Sequence, residues 1–221
     1  MDKQQLFEIL REQNSSVLLK LLEIAYDEMS TNQRREVFGE FTKKSKRSTV
    51  DGKKLLKEIE QFHKESMKGV FYAPFEINSK NFSYIPQETE EWFDRIGELL
   101  EESSKLTEQG DHSNAVKCFG LLYELIDVME RGDEIVFAEE YGTWMIPGEE
   151  KKFIKAYMSS LAITATPEEF TTAALPLIKR DSYESFANKT YSLAISVANK
   201  EQRAQVEVEI KHQNIRTKPQ K

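Results

Sequence analysis

Apolar residues recur at three- and four-residue steps along most of this chain, which is the spacing that gathers side chains onto one face of an α-helix. Two short helices are predicted over 3–13 and 16–29, separated at Asn14-Ser15-Ser16, residues that cap helices rather than continue them. In the second, Leu18, Leu21, Leu22, Ala25 and Met29 share a face expected to be core. Ser30 with Gln33 forms a capping-box pattern for a third helix carrying Val37, Phe38 and Phe41. The small, basic stretch Lys43 to Thr49 and the following Asp51-Gly52 read as an exposed connection. A further helix is expected from about Lys53 to Lys68 on Leu55, Leu56, Ile59, Phe62 and Met67.

The helical period disappears over 69–86, where Phe71, Tyr72, Phe75, Phe82 and Tyr84 accompany Pro74 and Pro86. This loop is expected to divide an N-terminal helical segment, 1–68, from a helical-hairpin domain, 87–210, followed by a polar, basic tail, 211–221. Its rings are expected to pin it onto neighbouring helices, because exposed aromatic clusters of that size are rare in monomers.

Residues 87–109 make a helix with Trp92, Ile96, Leu99, Leu100 and Leu106 on one face. Gly110-Asp111 ends it and starts a partner carrying Ala115, Phe119, Leu122, Ile126 and Met129. So short a turn makes the two pack antiparallel, and Trp92, Leu99, Phe119, Leu122 and Ile126 are expected to form one buried seam. Gly110-Asp111, Ala115 and Phe119 resemble the inter-helix turn and second helix of a tetratricopeptide repeat, over one hairpin spanning 92–130. The first helix departs from that pattern, with Glu102-Ser103 where the family places Leu-Gly and Leu106 where it places tyrosine. The resemblance implies helical-hairpin packing.

Three later starts follow: Thr166-Pro167-Glu168-Glu169, Asp181 with Glu184, and Asn199 with Gln202. A helix over about 149–164 precedes them, with Phe153, Tyr157 and Leu161 facing inward, and Pro176 is expected to kink or end the helix that begins at Thr166. The fold class is therefore all-α, with antiparallel helical hairpins stacked in the manner of an α-α superhelix or solenoid and an N-terminal helical subdomain.

Composition adds little to that picture until charge is divided along the chain. The net charge of −7 conceals an acidic middle, since residues 87–150 hold 18 Asp and Glu against 4 Lys and Arg, while the flanking thirds are mildly basic. Such a middle disfavours a surface that tracks nucleic-acid phosphates. The single cysteine, Cys118, forms no intrachain disulfide, Met1 to Gln5 lacks the start of a signal peptide, and no apolar run approaches the roughly 20 residues that span a bilayer. A cytoplasmic protein, with neither nucleic acid nor membrane as partner, is expected.

Catalytic motifs are absent. The closest glycines, Gly142 and Gly148, are too far apart for a dinucleotide fingerprint or P-loop. Glu-x-x-His occurs at Glu60/His63 and at Glu209/His212, a spacing that two helices of a di-metal bundle would use, but His212 lies near the polar tail. His112 stands six residues from Cys118 and off its face, so Cys118 is expected to be a small structural hydrophobe. No cofactor or metal is expected.

The leading functional expectation is a non-catalytic protein–protein interaction module or scaffold, and the alternative is an enzyme or metal-binding helical bundle with a scattered site. Two surfaces stand out. The non-periodic stretch 139–147 offers Tyr141 and Trp144, and the acidic helix face offers Glu91, Glu98, Glu101, Glu102 and Glu108 to a protein with a basic surface.

Overall fold

A computed structural model of the chain describes residues 2–11, 13, 15–29, 37, 49–81, 84–137, 142–183, 189–215 and 217. The capping box Ser30/Gln33, Phe38, Phe41, the basic stretch up to Ser48, Phe82, Tyr141 and Glu184 lie outside them. The helices are α1 (Lys3–Arg11), α2 (Ser15–Glu28), α3 (Gly52–Met67), α4 (Gln87–Gln109), α5 (His112–Glu130), α6 (Glu150–Thr164), α7 (Pro167–Tyr183), α8 (Lys189–Val197) and α9 (Lys200–His212). Among the described residues the one extended pairing is a single bridge between Phe71 and Val136. The fold is all-α. No helix among these residues is long and apolar enough to cross a membrane.

The chain divides into two compact units, Met1–Ser48 and Thr49–Lys221, so the break falls before α3 and not at 69–86. The reason is packing: α3 lies along α5, with Leu55, Ile59 and Phe62 buried, and Asp51 caps its first turn by accepting from the N–H groups of Lys53 and Lys54. The N–H of Val50 also donates to Gln109 Oε1 at 2.8 Å, tying the entry of α3 to the end of α4. Met67, expected on the core face, is exposed, and Ser66 takes that place as acceptor for the buried Trp92 indole N–H at 3.0 Å.

In the larger unit α4, α6 and α8 contact one another in series, while α5 packs on α3, α4 and α6, and α7 packs on α9. Gly110 ends α4 in the left-handed region at φ 83° and Asp111 caps α5, a two-residue reversal that sets the helices antiparallel. Trp92, Leu99, Phe119, Leu122 and Ile126 are all buried in one apolar core. The 69–86 loop packs on the same body through its rings: Phe71 lies 5.4 Å from Phe62, and Phe75 lies 5.2 Å from Phe137 and 5.3 Å from Tyr84.

Thr166 and Glu169 make the reciprocal capping box that starts α7, and Asn199 and Gln202 make the one that starts α9. The buried Gln202 amide also donates to the carbonyls of Ala162 and Ala165, closing the end of α6. Two boundaries differ from expectation. Pro176 does not end α7, because Leu175, Leu177 and Ile178 are buried on either side of it and that burial offsets the lost backbone bond, about 3 kcal/mol. Asp181 accordingly sits inside α7 rather than starting a helix.

The smaller unit departs most. Of the five residues read as one core face there, Leu18 and Ala25 of α2 and Met29 just after it are half-buried, whereas Leu21 and Leu22 are 44% and 49% exposed. The described residues supply no neighbour broad enough to cover that face, since α1 has 9 residues against 14 in α2.

Candidate functional site

Between α5 and α6 the chain makes a short 3-10 turn, Thr143–Met145, whose preceding residue, Gly142, adopts φ 65°, open to glycine without strain. The turn closes through Met145 N–H to the Gly142 carbonyl and Ile146 N–H to that of Thr143. Met145 and Ile146 pack against the core, and Trp144 between them and Thr143 points out, 77% exposed.

The seat of this turn is Gly97, in the middle of α4. A Cβ there would stand 2.7 Å from the Pro147 carbonyl oxygen and 2.8 Å from its Cδ, so the proline rests directly on bare helix backbone. On the surface of α4 the neighbours of Gly97 at i−3 and i+4 are Asp94 and Glu101, with Glu98 next in the chain. Trp144, three residues before Pro147, is within about 10 Å of that seat by chain reach. The turn that exposes this indole is thus seated on a helix carrying eight acidic residues against Arg95 and Lys105.

The five glutamates singled out from sequence do not form one patch. Glu91, Glu98 and Glu102 line one stripe of α4, and Glu101 and Glu108 another, turned toward α6. Glu91 accepts from the Gln87 amide at 2.6 Å and Glu98 from Arg95 at 2.7 Å. Arg95 also pairs with Glu58 of α3. Glu101 pairs with Lys152 of α6 at 2.7 Å, and Glu108 borders an open groove that Lys151, Lys152 and Lys155 share. The basic C-terminal third thus neutralises part of the acidic middle within the molecule. Of the two residues singled out in the 139–147 stretch, Trp144 stands exposed on the turn and Tyr141 lies outside the described residues.

Beneath the turn, Thr143, Ile146, Leu100, Tyr123, Ile126, Phe153, Glu150 and Arg180 enclose a cavity of about 30 Å³, room for a water molecule. Three rings stack there, Tyr123 on Tyr157 at 5.6 Å and Tyr157 on Phe119 at 5.3 Å, with the Arg180 guanidinium 6.0 Å from the Tyr123 ring centre. Arg180, only 14% exposed, bridges from α7 to Asp127 and, at 2.8 Å, to Glu130 of α5. Burial holds the Glu130 carboxyl above the usual range, opposed by Arg180 and reinforced by Asp127. Burial, with repulsion from Glu150, pushes the Tyr123 phenol far upward, and its hydroxyl has no hydrogen-bond partner. Nothing in the sequence flagged Arg180, since its carboxylate partners are about fifty residues away. Gly97, a glycine inside a long helical pattern, was the visible signal for the turn's seat.

Ser160 Oγ lies 3.1 Å from His112 Nδ1 and 2.9 Å from Thr107 Oγ1, with Ser160 itself fully buried in the α4–α6 seam. Cys118 is buried too, its thiol pushed up to about 12 by burial, opposed by a hydrogen bond with Ser103. His63 Nε2 is 3.2 Å from Glu124 Oε2 without hydrogen-bond alignment, and the exposed His212 is 3.7 Å from Glu209. Among the described residues no three His, Cys, Asp or Glu side chains are placed to hold a metal. Compared with protein-family models, curated proteins and solved structures, the chain matches none.

Proposed function

We propose that this chain is a non-catalytic helical interaction protein of the cytoplasm, whose partner is a protein with a basic surface that docks on Trp144 and the adjoining acids of α4. The observation that carries the reading is the exposure of Trp144 on a turn whose other residues are anchored. Leaving 77% of an indole in water forgoes about 4 kcal/mol of burial. A rigid aromatic offered in this way is the commonest kind of interface anchor. Asp94, Glu98 and Glu101, on the helix that seats the turn, would give a cationic partner carboxylates to add to the indole face. The hairpin of α4 and α5, similar to a tetratricopeptide hairpin at its turn, supports a helical-repeat scaffold beneath the contact.

The test is titration of a Lys/Arg-rich peptide and its Asp/Glu-rich counterpart into the protein, followed by calorimetry. Trp144→Ala is expected to weaken binding of the basic peptide about 30-fold, a hot-spot loss of about 2 kcal/mol. Binding is also expected to fall steeply as salt rises toward 1 M, where the Debye length is about 3 Å. Equal binding of both peptides, or binding that survives both Trp144→Ala and the triple change of Glu98, Glu101 and Glu102 to Lys, refutes the proposal.

A further inference from the structure

Tyr123 brings into the core a polar group that no other side chain there uses. The residue is 6% exposed, its ring stacks on Tyr157 at 5.6 Å, and its hydroxyl has no hydrogen-bond partner. Burial, with repulsion from Glu150, pushes that phenol far above its ordinary value, so it stays an O–H donor throughout the neutral range. A buried donor left unpaired suffers the full loss of its hydration, which is why nearly all such groups find a partner in the protein or in ordered water. The two charged side chains that act on this hydroxyl, Glu150 and Arg180, line the cavity of about 30 Å³ beneath the turn, as does Tyr123 itself. The hydroxyl end of the ring therefore faces that space.

We infer that this cavity is a binding site for water, which joins Tyr123 of α5 to Thr143 of the turn and so fixes the base on which Trp144 is displayed. Size selects the occupant first. A water needs about 10–15 Å³ of such space, whereas a cavity that takes a benzene-sized molecule is about 150 Å³. Charge selects it next. Arg180 is already paired with Asp127 and Glu130 and Glu150 stands opposite, so the lining offers an anion no unpaired cation. Among the described residues no three His, Cys, Asp or Glu side chains are placed to hold a metal. Hydrogen bonding selects it last. The occupant must accept from Tyr123 and can donate to the Glu150 carboxylate, while the Thr143 hydroxyl serves either way. Water does both, and this lining supplies the two to four polar partners that a buried water takes. Thr143 opens the 3-10 turn and Ile146 follows it, and both line the cavity on either side of the exposed Trp144. The turn is thereby fastened at two points, Pro147 on the bare backbone of Gly97 and Thr143 through water to Tyr123. Tyr123 is a positioning residue for Trp144. The inference does not rest on the docking of a basic partner, and its test uses no peptide.

The test is a crystal structure of the full chain at a resolution that shows ordered water, together with NMR cross-relaxation between water and the Tyr123 hydroxyl proton. Density for a water about 2.7–2.8 Å from Tyr123 Oη and within hydrogen-bond reach of Thr143 Oγ1 is expected, with the matching cross-peak. Tyr123→Phe keeps the stacked ring, and Thr143→Val keeps the shape of the side chain. Each is expected to lose the water and to shift the fluorine signal of Trp144 in fluorotryptophan-labelled protein, with the circular dichroism unchanged. Thr143→Ser, which retains the hydroxyl, is expected to keep both the water and the signal. A dry cavity in the native chain, a metal or halide found there by anomalous scattering, water retained in both Tyr123→Phe and Thr143→Val, or a Trp144 signal that neither variant moves overturns the inference.

Discussion

Truncating Phe119 to Ala tests the packing of the larger unit at its most connected point. The ring is fully buried, stacked on Tyr157 at 5.3 Å and near Tyr123 at 6.3 Å, and its helix contacts α3, α4 and α6. Removing a buried phenyl leaves a cavity that close-packed neighbours refill poorly, which costs about 3–5 kcal/mol. Loss of the ring stack accounts for about 0.5–1.5 kcal/mol of that. Helices from separate turns of the chain meet there, so no single side chain can swing into the void without vacating its own place. Urea unfolding followed by fluorescence is the assay, in a Trp144→Phe background that leaves the buried Trp92 as sole reporter. The midpoint should fall with the slope unchanged, and the thermal midpoint should drop by roughly 6–20 °C. A loss below about 1 kcal/mol would show that Phe119 is not where the core is tied together.

Gly97→Ala is expected to cost about 1–3 kcal/mol and to shift Trp144 emission, since a methyl there meets the backbone and ring of Pro147, neither of which can rotate away. An unchanged spectrum and midpoint would show that the turn does not rest on α4. Cys118 should react with a thiol reagent at pH 8 only upon unfolding, because its thiol is buried and stays protonated to about 12. Rapid labelling of the native chain would contradict its burial. Tyr157 ionises at about 12 folded against 10.0 ordinarily, and Cys118 at about 12 against 9.0. The unfolded chain therefore releases these protons first, so their contribution to stability is intact below pH about 9 and is lost as pH rises toward 12. Absorbance at 295 nm should show phenol ionisation coinciding with loss of helix, and ionisation of all phenols near pH 10 with helix retained would refute it.

The parts legible in sequence are those decided within a few residues of chain. Thr166 with Glu169, Asn199 with Gln202, Asp111 and the left-handed Gly110 each satisfy backbone groups one turn away, and each stands where the local pattern puts it. The seam from Trp92 to Ile126 was also legible, because a two-residue turn leaves two amphipathic helices one way to meet. Misreadings occur where a distant neighbour decides. Pro176 is a local stop signal overruled by burial on both sides, and Met67 loses its core place because the Trp92 indole needs the Ser66 hydroxyl.

Helix α2 shows the same rule from the other side. Periodicity identifies an apolar face but carries no information about what covers it, so Leu21 and Leu22 satisfy the pattern of a core while standing open. The turn at Trp144 fails the helical pattern for the opposite reason: its position is set by one missing side chain, that of Gly97, about fifty residues earlier. A methyl group at 97 would meet Pro147 and displace the turn that carries Trp144, with every residue of the 142–147 stretch unchanged. The site is therefore a property of the pair, glycine on the helix and proline on the turn, and that pairing exists only once α4 is folded.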